Sequence, residues 1–304
     1  MRRSTLLTAL LVTLACSHSE PFPPLDFGTD QPFDPGPPPR LTANLGDDGA
    51  ISFTPDGANL VYSLNKQCIA FLPAHQARAS RWLCAPPIEF ETNSYSHPAI
   101  SARGRLAFVL GPLLNRTMVV APLSDIRDTS EIVPVPFVTT ADGIVHTDVT
   151  RLAWLRGDTL AILADSIVYL TDPASTARPR VFVPLPLPAS AYSIQAGQGG
   201  SVLYLRVTGD ARVLVWDLST GGLSTLYDFG ADSAGQVAVG TRHLAAVTPG
   251  AVVRINLQDN STINMPTYNL VIAELAMTPD GSDIIVSAMT SPGLPTTDLF
   301  RLKP

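Results

Sequence analysis

The stretch ISFTPDGANLVYSLNKQCIAFLPA, Ile51 to Ala74, runs through an apolar segment, a tight turn, a second apolar segment, a hairpin and a third apolar segment. In Thr54-Pro55-Asp56-Gly57, proline presets the first turn position, the aspartate carboxylate caps the turn, and glycine accepts a positive φ. The same Thr-Pro-Asp-Gly returns at Thr278 to Gly281, followed by a similar apolar run. Between these copies the frame persists with other letters: Ser101-Ala102-Arg103-Gly104, Leu155-Arg156-Gly157-Asp158, Gly197-Gln198-Gly199-Gly200, and a degenerate turn around Gly240 to His243. The second strands that follow read NLVYSL from Asn59, RLAFVL from Arg105, TLAILA from Thr159, SVLYLR from Ser201, HLAAVT from His243 and DIIVSA from Asp283. Their starts lie about 40 to 54 residues apart, the period of four-stranded units arranged radially. The spacing predicts an all-β fold, a six-bladed β-propeller with four-stranded blades.

The second strands are nearly continuous in apolar residues rather than alternating, which is the pattern of strands covered on both faces. Third strands follow as MVVAPL, SIVYLT, VLVWDL and AVVRINL, and fourth strands as EIVPVPF, RVFVPLP, LSTLYDF and INMPTYN. Prolines gather in the fourth strands, where an outer edge can lose a backbone donor. The last repeat reaches Pro304 after its third strand, while PPRLTANL, Pro38 to Leu45, precedes the first blade as an orphan outer strand. Pairing the two is expected to close the ring and hide both edges.

The chain has 304 residues, a formal charge of -6, only 15% charged residues, 28 prolines and 21 glycines. A repeat array shares one continuous core and is read as one domain, residues 38–304. An acidic chain with scattered Lys and Arg offers no positive field to nucleic acid or anionic headgroups, so neither is an expected partner.

Residues 1–15 read as a signal peptide: Arg2 and Arg3 are followed by an apolar stretch from Leu6 to Leu14, far short of the roughly 20 residues that span a bilayer. The segment ends Thr13-Leu14-Ala15-Cys16, which resembles a bacterial lipobox, with Thr13 in place of the usual Leu. The resemblance implies that Cys16 carries the lipid. Residues 16–37 then form a Pro-rich tether too poor in apolar residues to build a core. By the same resemblance, Ser17 after the cysteine, where Asp would signal otherwise, implies an outer-membrane address in a Gram-negative cell, facing the periplasm or the cell surface. Cys68 in QCIAFL and Cys84 in RWLCAP remain as a pair on neighbouring strands, expected to bond in an oxidising compartment; two buried free thiols are the other reading.

RLTANLGDDGAISFTPDGANLVYS, Arg40 to Ser63, resembles the repeat of TolB-type six-bladed propellers, in which an outer strand ending Leu-Thr leads through an Asp-containing link to a Ser-Pro-Asp-Gly turn. VLVWDLSTG in the fourth repeat is similar to WD-type repeats. The resemblance covers residues 38–304 and is strongest in the first and last repeats. It implies a scaffold rather than an activity, since such repeats serve assembly proteins, sensors and peptidase caps.

Enzyme signatures are not found. Ala231-Asp232-Ser233-Ala234-Gly235 lacks the first glycine of a nucleophile elbow, and Gly197, Gly199 and Gly200 read as a plain turn without the helix a phosphate loop requires. Asp56 and Asp280 are expected to be structural. The histidines His18, His75, His97, His146 and His243 are dispersed, and no cofactor or metal is expected. Links between blades and loops between second and third strands share one face of a propeller, a usual place for partners. On that face Asp48, Tyr95, His97, Arg116, His146 and Asp148 are the candidate binding residues, with Asp48 and Asp148 read as equivalent and Tyr95 and Ile272 at the matching positions. The expectation is a lipid-anchored, non-catalytic monomer that binds an envelope protein or peptide. The alternative is a propeller enzyme resembling lactonases or sugar-processing propellers, with a metal or acid pair in the channel.

Overall fold

A computed structural model describes residues 38–42, 46–74, 76, 81–84, 95–111, 117–122, 134–135, 149–172, 183–230, 234–290 and 296–303. Among these residues the chain forms six antiparallel sheets, each built in chain order from neighbouring strands. Sheet 1 holds β1 (Asp48–Phe53), β2 (Asn59–Leu64), β3 (Cys68–Pro73) and β4 (Arg81–Cys84). Sheet 2 holds β5 (Tyr95–Ile100), β6 (Arg105–Leu110), β7 (Thr117–Pro122) and β8 (Pro134–Val135), and sheet 3 holds β9 (Val149–Trp154), β10 (Leu160–Ala164), β11 (Ile167–Thr171) and β12 (Val183–Pro184). Sheet 4 holds β13 (Ala191–Ala196), β14 (Val202–Val207), β15 (Arg212–Asp217) and β16 (Leu223–Asp228). Sheet 5 holds β17 (Val237–Val239), β18 (His243–Thr248), β19 (Ala251–Asn256) and β20 (Thr262–Pro266), and sheet 6 only β21 (Val271–Met277), β22 (Ile284–Met289) and β23 (Asp298–Leu302).

The apolar second strands lie where their composition demands. β2, β6, β10 and β22 are buried along almost their whole length, because each sheet is covered on both faces by its neighbours. The core divides into six clusters, each between consecutive sheets. Val61, Ile69 and Phe71 meet Ile100, Leu106 and Phe108 between sheets 1 and 2, and Leu60, Tyr62 and Leu64 meet Ala276, Ile285 and Leu299 between sheets 1 and 6. The first strands follow one another in the same order: β1 packs on β5 and β21, β5 on β9, β9 on β13, and β17 on β21. Between β13 and β17, the Gln195 amide donates to Val239 O (2.6 Å) and accepts from Val239 N (2.8 Å).

Sheet 6 meets the N-terminal segment at its open edge. Arg301 N donates to Pro39 O (2.9 Å), Leu41 N donates to Leu299 O (2.7 Å), and Arg40 forms an antiparallel bridge with Phe300. The Arg40 guanidinium also pairs with the buried Asp298 carboxylate, and the side chain of Leu41 joins the cluster between sheets 6 and 1.

Cys68 and Cys84 face each other on β3 and β4 and form a disulfide, with Cα atoms 4.0 Å apart. Three second strands begin one residue later than the sequence reading: Leu160 rather than Thr159, Val202 rather than Ser201 and Ile284 rather than Asp283. In the fourth repeat the turn register shifts as well, since the turn closes with Gly197 N donating to Val202 O. Its equivalents are Thr54 N to Asn59 O, Ser101 N to Arg105 O and Leu155 N to Thr159 O.

Replacing Arg40 with Ala should lower stability by about 1–3 kcal/mol, because it removes the guanidinium that pairs with the buried Asp298 carboxylate. Removing Pro38 to Leu45 should cost more, since the backbone donors and acceptors of β23 are also exposed. Urea unfolding followed by circular dichroism checks both, and a deletion variant that unfolds with the parent would defeat the pairing argument.

Candidate functional site

The turn between first and second strands sets the geometry of the site. Thr54 Oγ1 donates to Asp56 Oδ1 (2.6 Å), which also accepts from Ala58 N (3.0 Å). In the last sheet Asp280 Oδ1 accepts from Thr278 Oγ1 (2.7 Å), Ser282 N (3.0 Å) and Ser282 Oγ (2.8 Å). These bonds, led by those from Thr54 and Thr278, hold both carboxyls below their ordinary pKa. The two acids are spent on turn structure, as their motif implies.

Five of the six first strands carry a register shift, in which one additional residue is accommodated against the second strand. Such bulges bend a strand and re-aim its side chains. In β1 and β5 the shift places the non-glycine residues Ala50 (φ 51°) and His97 (φ 53°) in the left-handed region. The resulting alignment can be counted back from the turn. Four residues before Thr54, Ser101, Leu155, Gly197, Gly240 and Thr278 stand Ala50, His97, Arg151, Ser193, Gln236 and Glu274, all half-buried.

A cavity of about 380 Å3 is bounded by the first strands of all six sheets and by the turns that follow them. Ala50, His97, Arg151, Ser193 and Gln236 line it. Glu274 adjoins it: its Oε1 accepts from Arg151 Nη1 (3.0 Å) and its Oε2 accepts from Ile51 N (3.0 Å). The pair thus ties sheet 3 to sheet 6 and, through Ile51, to sheet 1. Two residues further along each strand the wall is formed by Ser52, Ala99, Ala153, Gln195, Ala238 and Ala276, small side chains with one exception. That exception, Gln195, lies against the next strand through its bonds to Val239.

The turns form the rim and touch one another. Arg103 Nη1 bonds Asp158 Oδ2 (2.9 Å) between the second and third turns, and Thr241 N donates to Pro279 O (2.6 Å) between the fifth and sixth. Gly200, with φ 67°, rests on the backbone of the third turn: a Cβ there would stand 2.5 Å from Arg156 N and 2.8 Å from Leu155 C. Close approach therefore explains this glycine, in agreement with its reading as a plain turn.

The sequence candidates are distributed differently from the expectation. Asp48 is 0% exposed and Tyr95 1% exposed, so neither side chain offers a surface to a partner. Both are anchors between sheets. Asp48 N donates to Thr297 O (2.9 Å) and Asp48 O accepts from Ser287 Oγ and Thr297 Oγ1, while Tyr95 N donates to Lys66 O (2.8 Å) and Tyr95 O accepts from Ser63 Oγ (2.7 Å). Burial, and then the Asp48 carboxylate, push the Tyr62 hydroxyl far above its ordinary pKa.

The equivalence of Asp48 with Asp148 is also corrected. The residue paired with the last position of its second strand is Asp48 in sheet 1, Tyr95 in sheet 2 and Val149 in sheet 3. His97 is the candidate that the structure brings to the cavity; its Nδ1 lies 3.0 Å from Ser96 Oγ. Cys16, His18, His75, Arg116, His146 and Asp148 lie outside the described residues.

The cavity lies toward the turn ends of the first strands, away from the Asp48 and Tyr95 ends where the candidates were sought. Arg151 and Glu274, 123 residues apart, were missed. The available signal was their common offset of four residues from a turn. Among the described residues no group of three or more His, Cys, Asp or Glu is placed to hold a metal ion.

Compared by sequence, the chain matches no protein-family model and no curated protein. Compared by structure, it is similar to the β-propeller domain of Myceliophteria thermophila Cps50 (Swd1). The TM-score is 0.56 at 11% identity, over 86% of this chain and 83% of that one. The likeness establishes the fold as a β-propeller.

Asp56 and Asp280, held below the ordinary carboxyl pKa in the folded chain, contribute stability that is present above about pH 4 and lost as the pH falls through their folded values. The double variant Asp56→Asn, Asp280→Asn should be less stable at neutral pH and should lose less of its remaining stability on acidification. Urea midpoints measured from pH 7 to pH 2.5 check this, and parallel pH profiles for variant and parent would contradict it.

Proposed function

We propose that the chain is a lipid-anchored, non-catalytic six-bladed propeller of the cell envelope, closed by its N-terminal strand, that presents a face to another envelope protein or a peptide. The observation that carries the non-catalytic reading is the composition of the six aligned positions facing the cavity. They hold one carboxylate, Glu274, and it is paired with Arg151. An acid pair or metal centre at the axis would need carboxylates on several blades at this level. Asp56 and Asp280, which recur at equivalent places, have their Oδ1 atoms committed to turn bonds.

Closure of six blades is supported by the cluster that joins sheet 6 to sheet 1 and by the bonds of Pro39 and Leu41 to β23. The TolB-type resemblance and the lipobox-like Cys16 support an exported scaffold. A propeller with contiguous turns around its mouth offers a firm platform whose binding residues sit on short loops, the usual arrangement for recognition on a rigid frame. The turn face is favoured over the opposite one, because the cavity lies there and Arg103, 73% exposed, stands on its rim.

Two experiments test the proposal. Cys16→Ser should leave the protein in the soluble fraction after cell breakage and abolish incorporation of labelled fatty acid; continued membrane association would overturn the anchor. A photoreactive residue at Arg103 or Thr241 should yield one discrete envelope-protein adduct in cells, while the same residue at exposed Tyr268 should not. Equal or no adducts from both faces would defeat the assignment.

A further inference from the structure

We propose that the cavity is a binding site for a small molecule bearing a carboxylate on a narrow aliphatic stem, with Arg151 holding the carboxylate. This goes beyond the interaction role and does not depend on it. The first support is the state of the Arg151 guanidinium. Among the described residues its hydrogen bonds are made by Nη1, to Glu274 Oε1 (3.0 Å) and Thr150 O (3.3 Å). Nη2 lies 3.0 Å from Glu274 Oε1 as an ion pair, without hydrogen-bond geometry, and Nε makes no hydrogen bond among the described residues. The Nε and Nη2 edge is the face of a guanidinium that receives a carboxylate through two parallel bonds. Glu274, fixed in turn by Ile51 N, orients the guanidinium from its Nη1 and Nη2 end and leaves Nε and the second Nη2 hydrogen for a ligand.

The second support is shape. Between the turns and the level of Arg151, Ser193 and Gln236, the wall carries Ser52, Ala99, Ala153, Gln195, Ala238 and Ala276, all small but Gln195. A site of about 380 Å3, lined by small side chains and by convergent polar groups in similar measure, has the size of a small-molecule pocket. The third support is charge. The chain carries a net -6, yet three guanidinium groups, Arg103, Arg151 and Arg156, line the cavity against two carboxylates, Asp158 on its wall and Glu274 beside it, the latter paired with Arg151. Asp158 pairs with Arg103. Arg156 is exposed on the rim and has no ion-pair partner among the described residues, so it adds a positive field at the mouth that favours entry of an anion.

The same chemistry could come from a free organic acid or from the C-terminus of a short peptide. Titration calorimetry of the full folded protein with valerate and with Ala-Ala-Ala, each beside its amide, separates the two. The expected result is binding of at least one carboxylate with no heat from the matching amide: valerate alone identifies a free acid, and the tripeptide alone a chain terminus. Arg151→Gln should weaken that binding at least tenfold. Ser52→Leu, which adds bulk to the cavity wall and leaves Arg151 itself unchanged, should do the same, and it provides the decision if the Arg151 variant fails to fold. Absence of binding by both carboxylates at millimolar concentration, equal binding of acid and amide, or unchanged affinity in folded Arg151→Gln or Ser52→Leu protein would each overturn the proposal.

Discussion

The structure depends on how one sheet grips the next. At the start of sheet 2, Tyr95 N is bound to Lys66 O and Tyr95 O to Ser63 Oγ of sheet 1; at the start of sheet 1, Asp48 N is bound to Thr297 O and Asp48 O to Ser287 Oγ of sheet 6. Ala191 N repeats the first half of this pattern with Ser166 O. A sheet with apolar residues on both faces gains little alone, because half of its burial comes from each neighbour. The latch orients the first strand so that the second strand of its own sheet falls into register against the preceding sheet. Buried backbone groups at a strand end would otherwise lack partners, a cost of about 1–3 kcal/mol each.

That constraint also explains why the first strands bulge. A strand held at one end by its neighbour and at the other by a tight turn has its length fixed by both. The added residue bends the strand between those supports, at or just before the cavity-facing positions Ala50, His97, Arg151, Ser193 and Glu274. The chemistry of the cavity-facing level varies from repeat to repeat: methyl, imidazole, guanidinium, hydroxyl, amide and carboxylate occupy six equivalent places. The scaffold positions are occupied by similar residues for physical reasons, while the cavity positions are not.

The contrast governs what could be read from the chain. The Thr-Pro-Asp-Gly turns carry their geometry in four adjacent letters, and the apolar second strands carry theirs in six, so both were legible. Gly197-Gln198-Gly199-Gly200 offered several equivalent places to turn, and the strand after it was placed one residue early for that reason. Asp48 and Tyr95 were recognised as equivalent positions, but their burial comes from sheets folded elsewhere, which local sequence does not record. Asp148 sits one residue ahead of Val149, and only the pairing of Val149 with Ala164 shows which of them matches Asp48. The Arg151–Glu274 pair joins residues on sheets three apart in order, a relation without a local trace.

The bonds between Pro39, Leu41 and β23 also have a mechanical side. A pull on the residues preceding Pro38 is delivered first to a few backbone hydrogen bonds and to the Arg40–Asp298 pair, before any strand of the six sheets bears load. The seam between the last sheet and the N-terminal segment is therefore the first contact that such a pull loads. Its rupture would bare the edge of β23 while the cluster of Leu60, Tyr62 and Ile285 still held the first and last sheets together.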